Sequence, residues 1–151
     1  METLVIQSDI NNIIEVERFV YVVCDTFNIN NYSAVISMSL LQAVENAIVH
    51  GNNNDSSKAV KIIFDHCKGG VFFTVTDEGR GFDYRSKLTA EGNTEKGRGL
   101  YLMRSLSDNL SFSNNGSTVR LDFIINGIDA SRALERITTL RNHYALRPVE
   151  V

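Results

Sequence analysis

Three short stretches of the chain carry residue types that could do chemistry together. The first is QAVENAIVHGN, residues 42 to 52. On a helix, Gln42, Asn46 and Val49 or His50 share a face at four- and three-residue spacing, so two amides and an imidazole run toward Gly51. Asn46 can offer its amide oxygen to a hard cation such as Mg²⁺, which prefers oxygen ligands and keeps several waters and substrate phosphates around it. A plainer role is also open, with Asn46 bonding a nearby backbone group and His50 capping the helix end. The second stretch is TVTDEGRGFD, residues 74 to 83, where a strand ending in Asp77 passes straight into Gly79-x-Gly81. An ionised carboxylate only accepts hydrogen bonds, which suits the exocyclic amino group of a flat ring such as adenine, and the two glycines allow close approach. An ordinary Asp-Gly turn between two elements has the same pattern. The third stretch is EKGRGLYLMRSLSD, residues 95 to 108. Gly97 and Gly99 are expected immediately before a helix, whose free N–H groups and positive dipole end attract phosphate. Lys96 and Arg98 add positive charge that either follows the phosphates or faces solvent. The spacing is neither the GxxxxGK[ST] of a P-loop nor the GxGxxG of a Rossmann unit.

These residues need elements to hold them. A β-branched run at 3 to 7 is followed by Ser8-Asp9, whose side-chain oxygens can cap a helix carrying Ile10, Ile13, Ile14, Glu17, Val20, Cys24 and Phe27 on or near one face and ending near Asn28. A second helix is expected from Ser33 to His50, burying Val35, Met38, Leu41, Val44 and Ile48, with Gly51 placed to stop it. GNNNDSS reads as a surface loop. The period then changes to two: Val60, Ile62 and Phe64 alternate with Lys61, Ile63 and Asp65, and Gly69-Gly70 turns the chain into VFFTVTD as an antiparallel hairpin. Residues 77 to 99 read as a long functional loop. A helix near Gly99 carries Leu100, Leu102, Met103 and Leu106, followed by LSFS, an NNG turn and the strand STVRLDFII. Residues 129 to 144 form a last amphipathic helix with Leu134, Ile137, Leu140 and Tyr144 on one side. Helices sharing one face of an antiparallel sheet make an α+β, two-layer sandwich.

The chain has 151 residues, with 15 Lys and Arg against 18 Asp and Glu, a net charge of −3, 43% hydrophobic and 22% charged residues. That is near the globular average, which argues against disorder, collagen or a disulfide scaffold. The slight acidic balance disfavours direct nucleic-acid or anionic-membrane binding. The N-terminus lacks the pattern of a cleavable leader, so a cytoplasmic address is expected. Cys24 and Cys67, far apart and outside any CxxC pair, suit a reducing compartment and a pair of buried thiols with no disulfide.

Taken in order, Asn46-x-x-x-His50-Gly51, Asp77-x-Gly79-x-Gly81-Phe82, Gly97-x-Gly99-Leu100 and Gly116-x-Thr118-Val119-Arg120-Leu121 resemble the ATP-binding boxes of the GHKL ATPase superfamily. Within it the likeness is to small bacterial anti-sigma-factor serine/threonine kinases. The resemblance spans residues 3 to 125 and divides the chain into a histidine kinase-like ATPase domain, 1–126, and a helical extension, 127–151. It implies a Bergerat-type sandwich with a mostly antiparallel sheet, helices on one face, and ATP with Mg²⁺ as cofactors. It further implies Asn46 as the Mg²⁺ ligand, Asp77 as the adenine reader with Gly79 and Gly81 beside it, Gly97 and Gly99 as phosphate cradle, and Thr118 as a secondary adenine contact. His50, Lys96, Arg98 and Leu100 fall within the same boxes. The partners implied are a sigma factor or its antagonist, and the tail suggests a homodimer. Arg18 is a candidate partner contact beside its plainer reading as a solvated side chain.

One position departs from the family pattern. A general-base Glu is expected four residues before Asn46, where this chain has Gln42, an amide without useful basicity near neutral pH. Glu45 is a possible substitute, but it lies about 100° around the helix from Asn46. The reading therefore branches between a kinase that phosphorylates an antagonist and a nucleotide-dependent partner-switching protein that does not. A sensor histidine kinase fits less well, because no helical segment bearing a phospho-accepting histidine precedes the domain.

Overall fold

The computed structural model describes residues 1–81, 95–125 and 138–143. Its strands are β1 (Glu2–Gln7), β2 (Ala59–Cys67), β3 (Gly70–Thr76), β4 (Asn109–Ser113) and β5 (Thr118–Ile124). They form one sheet in the order β1-β2-β3-β5-β4, with every pairing antiparallel. The two-residue alternation sets the register. Ile62 stands between Leu4 and Val75, Phe73 between Phe64 and Leu121, and Val119 between Val75 and Phe112, so apolar side chains form rows across one face. A one-residue slip in any pairing would turn a whole row to the other side. Phe73 centres an aromatic cluster, with ring centroids 5.2 Å from Phe64, 6.3 Å from Phe123 and 6.5 Å from Phe19 of the first helix. Each such fully buried side chain contributes about 1.5–3 kcal/mol relative to exposure.

The helices cover that face. In α1 (Ile13–Thr26) the buried residues are Val16, Val20, Val23 and Cys24, with Ile13 and Phe19 packed beside them. This corrects the expected face: Ile10 is 44% and Ile14 51% exposed, and Glu17 is exposed too. Every residue of the expected stripe fits a helical period, but Val16 and Val23 extend the alternative stripe without crossing a charge, and that stripe meets the sheet. Asp9 caps the turn before α1 by accepting the Asn11 N–H at 2.9 Å, whereas Ser8 points elsewhere, donating its hydroxyl to the Lys58 carbonyl.

Between α1 and the third helix runs α2 (Ser33–Asn46), which buries Ile36, Met38, Ser39, Leu40, Ala43 and Val44. The expected Val35 and Leu41 are half-buried, because a helix packed against the sheet and two neighbouring helices needs apolar residues over more than one stripe. The run Asn30–Gly51 is long and apolar enough to cross a membrane, and in this fold it is the central core helix. Its last turn, Ala47–Gly51, is a π-turn in which the Asn52 N–H reaches back five residues to the Ala47 carbonyl, 2.8 Å away. The helix was expected to stay regular to His50.

Two further expectations are corrected. The third helix, α3 (Glu95–Leu106), begins four residues earlier than Gly99, so Gly97 and Gly99 lie inside its first turns. The loop after Gly51 is not wholly superficial, since Asn52 is 0% exposed. Residues 138–143 are helical, and Leu140 packs against Met38, Leu102 and Leu106. Leu134, Ile137 and Tyr144 lie outside the described residues.

Candidate functional site

A cleft of about 830 Å³, including its open mouth, lies between α2, α3 and the neighbouring ends of β3 and β5. Val75, Val119, Leu100, Met103 and Phe112 supply apolar lining. The polar lining comes from three separate parts of the chain: Asn46, His50 and Asn53 from the end of α2, Asp77 from the end of β3, and Ser117 from the turn before β5. Asn46 is the last α-helical residue and His50 belongs to the π-turn. A π-turn rotates the residues after it relative to a regular helix, a device frequent at functional sites.

Asp77 is the only carboxylate among the described residues that line the cleft. Its own N–H donates to the Ser117 carbonyl at 2.9 Å, continuing the β3–β5 pairing by one rung. One carboxylate oxygen, Oδ1, accepts the Gly79 N–H at 2.8 Å in an Asx turn, leaving the rest of the carboxylate to accept from a ligand. Burial raises the pKa of this carboxyl above the usual carboxylate value, and the bond from Gly79 opposes that shift.

Close approach explains the glycines nearby. A Cβ at Gly51 would collide with the Asp77 carboxylate, and one at Gly79 with the Gly51 carbonyl. The end of α2 and the turn after β3 thus approach more closely than any residue with a Cβ at Gly51 or Gly79 would allow. Gly81 has φ +86° and faces the Asn115 carbonyl with no room for a side chain, so both its dihedral and its surroundings demand glycine. At the other end of the cleft, the Cβ position of Gly99 lies 3.3 Å from Gln42 Oε1 and 3.7 Å from Asn46 Oδ1. The start of α3 therefore sits directly over the two amides. The first four N–H groups of any helix lack intrahelical partners, and in α3 these are the N–H groups of residues 95 to 98.

Of the residues singled out from the sequence, Asn46, His50, Asp77 and Leu100 line this cleft. Gln42 and Gly99 meet beside Asn46, and Gly79 and Gly81 shape the turn that carries Asp77. Thr118 does not line the cleft. Its hydroxyl lies 3.2 Å from that of Thr76 and accepts from Asn114 Nδ2 at 3.0 Å, while Ser117 beside it takes the lining position. Glu45 is exposed and does not line the cleft. The side chains of Lys96 and Arg98 lie outside the described residues. Arg18, 68% exposed, pairs with Glu15 at 3.1 Å.

Asn53, Ser117, Met103 and Phe112 were not singled out as site residues. A signal for Asn53 was present in the NNN run, because successive Asn residues tolerate left-handed backbone, and Asn53 and Asn54 have φ 54° and 58°. No metal-ligating cluster of three or more His, Cys, Asp or Glu occurs among the described residues. The donors present suit a hard cation held by neutral oxygens and by phosphate: Gln42 Oε1 and Asn46 Oδ1, converging below the start of α3.

Comparison with known proteins agrees with this geometry. The chain is 28% identical over 119 residues to the serine-protein kinase RsbW of Bacillus velezensis, with 72% of each chain covered, and 29% identical over 119 residues to that of Bacillus subtilis, again with 72% of each covered. It is 30% identical over 95 residues to the anti-sigma F factor of Clostridium botulinum strain Eklund 17B, covering 57% of this chain and 66% of that one. The family model for the histidine kinase-like ATPase domain matches residues 7–123. The chain belongs to the histidine kinase-like ATPase family and is an ATP-binding domain related to the bacterial anti-sigma-factor kinases.

Proposed function

We propose that this protein is an ATP-dependent regulator that binds a sigma factor or the antagonist of one, and that it transfers phosphate slowly to a serine of the antagonist. The observation that carries the reading is the convergence of Asn46, His50 and Asp77, from separate segments, on one cleft with the start of α3 over Gln42 and Asn46. In this reading Asp77 accepts a hydrogen bond from the adenine amino group, and Gly79 and Gly81 let the ring lie close to backbone. Gly97 and Gly99, with Lys96 and Arg98, belong to the phosphate end. Asn46 is the ligand for Mg²⁺, which when bound draws charge from the phosphates and favours their transfer.

Gln42 supports a second reading, in which nucleotide state alone switches partners. Its amide can orient a hydroxyl or a water but cannot take up a proton near neutral pH. Two assays separate these readings. Titration with ATP, ADP and GTP, with and without Mg²⁺, is expected to show Mg²⁺-assisted adenine-nucleotide binding, weakened by Asn46→Ala in its Mg²⁺-dependent part. Phosphate transfer to candidate antagonist proteins is expected to be slow in the natural protein and faster by roughly 10²–10⁴-fold in Gln42→Glu, the usual contribution of a general base. A natural protein that turns over fast and is unimproved by Gln42→Glu points to another base. A protein that binds no nucleotide sinks both readings.

A further inference from the structure

We infer that Asn52 and Glu78 are positioning residues that brace the adenine-reading turn against the start of β2, and so set the affinity and selectivity of the cleft for adenine. The inference rests on the proposed reading of Asp77. Neither residue lines the cleft; they act on the peptide that connects Asp77 to Gly79.

The brace is a closed ring of hydrogen bonds around the Ala59 backbone. Asn52 is 0% exposed and uses its amide on both sides. Its Nδ2 donates to the Ala59 carbonyl at 3.0 Å and to the Ser8 hydroxyl at 2.8 Å, while its Oδ1 accepts the Glu78 N–H at 2.8 Å. The Glu78 side chain returns to the same residue, with Oε2 accepting the Ala59 N–H at 2.5 Å. The next N–H along, that of Gly79, is the one bonded to Asp77 Oδ1. Two successive N–H groups after Asp77 are therefore both fixed, one by Asn52 and one by the carboxylate itself. This turn leaves the end of the central strand β3 beside Gly51 and Gly79, which bring no side chains of their own, so hydrogen bonds are what hold it.

A burial this complete calls for a reason. A buried amide costs stability unless all its groups are satisfied, and an apolar residue could fill the space with less demand on geometry. What an apolar residue could not do is accept the Glu78 N–H. Releasing that peptide lets it rotate, which moves the Asp77 carboxylate off the direction needed for a hydrogen bond to a ring amino group. A recognition group held in place before the ligand arrives binds more tightly and discriminates better than one that must be ordered on binding.

Titration calorimetry of the full chain with ATP and GTP tests the brace against a merely structural role. Asn52→Ala is expected to weaken ATP binding about 10-fold and to reduce the preference for ATP over GTP. Ser8→Ala breaks a bond of the same buried hub but leaves the one to Glu78, and is expected to lower thermal stability with ATP affinity unchanged. The exposed Glu78→Ala removes the other arm of the brace and is expected to lower ATP affinity and selectivity in the same direction, which keeps the inference testable if Asn52→Ala proves too unstable to purify. In an Asp77→Asn background, Asn52→Ala should cost less than two-fold, because the group it positions has already been altered. The brace is overturned if Asn52→Ala and Glu78→Ala bind ATP like the natural protein, or if Ser8→Ala weakens ATP binding as much as Asn52→Ala. A natural protein whose ATP affinity ignores Asp77→Asn overturns the reading of Asp77 and the brace with it. Normal dependence on Asp77 with indifference to Asn52 and Glu78 overturns the brace alone.

Discussion

Asp77 illustrates a conflict between binding and stability at a single residue. Burial raises its pKa in the folded protein above the unfolded value. The folded state therefore holds the proton more tightly, and stability falls as pH rises from the ordinary carboxylate range through the raised value. At neutral pH the ionised carboxylate is a cost to the empty fold, set against its use as an acceptor. Asp77→Asn retains an oxygen for the Gly79 N–H, so the empty variant should melt no lower than the natural protein at pH 7. Its ATP affinity should drop by about 1–3 kcal/mol, the scale of a lost charge-assisted hydrogen bond. Calorimetric melting beside a nucleotide titration checks both halves, and an empty variant that melts lower shows that the carboxylate is not a net cost. The thiols give a second check at this scale. Burial pushes Cys24 up to about 11, while Cys67 is exposed. A thiol reagent at pH 8 should modify one cysteine at once and the other only when the core opens. Asp77 and Asn46 were legible in the sequence because a carboxylate at a strand end before GxG, and an amide on an apolar helix, are anomalies in their surroundings. Asn52 was not, because its partners at Ser8, Ala59 and Glu78 are brought to it by the sheet and not by spacing along the chain.

At the level of elements, the strands were the most legible part, since an exact two-residue period over β2 and β3 leaves a single register that buries Phe64 opposite Phe73. The helices were less so. In α1 two stripes satisfied the helical period, and the choice between Ile10-Ile14 and Val16-Val23 depended on the sheet that the helix meets. Glycine as a helix boundary held at Gly51 but failed for α3, where packing carries the helix through Gly97 and Gly99, and the π-turn at Ala47–Gly51 left no signature in local propensity. Gly99 makes the point testable. Glycine within a helix costs about 0.5–1 kcal/mol relative to alanine, and a Cβ at this position would press on the Gln42 amide, which can rotate away. Gly99→Ala is therefore expected to leave the empty protein as stable or more stable. If α3 must adjust its first turns to accept phosphates, the variant should lose affinity for ATP more than for AMP. Equal losses for the two nucleotides would place the start of α3 outside phosphate binding.

For the molecule as a whole, the open question is what the tail covers. The sheet is screened by α1 and α2 on one face, and α3 packs on α2, adding Leu100 and Met103 to the main core while Met38, Leu102 and Leu106 form a separate buried cluster. Leu140 lies on that cluster, with Val35 beside it. Leu140 thus has a use within its own chain, where the sequence alone favoured a second copy as the partner of the apolar tail side. The two uses make different predictions. If the tail serves its own domain, Leu140→Ala should lower stability by about 1–2 kcal/mol, less than the 2–5 kcal/mol of a fully buried leucine because the side chain is only half-buried. Deleting residues 128 to 151 should lower it further by baring the cluster, and the oligomeric state in solution should stay the same. If instead the tail joins two copies, deletion should convert a dimer into a monomer in sedimentation, and melting of the natural protein should depend on its concentration while that of the truncated one does not. Truncation that leaves stability and oligomeric state both untouched would remove any structural role for the tail.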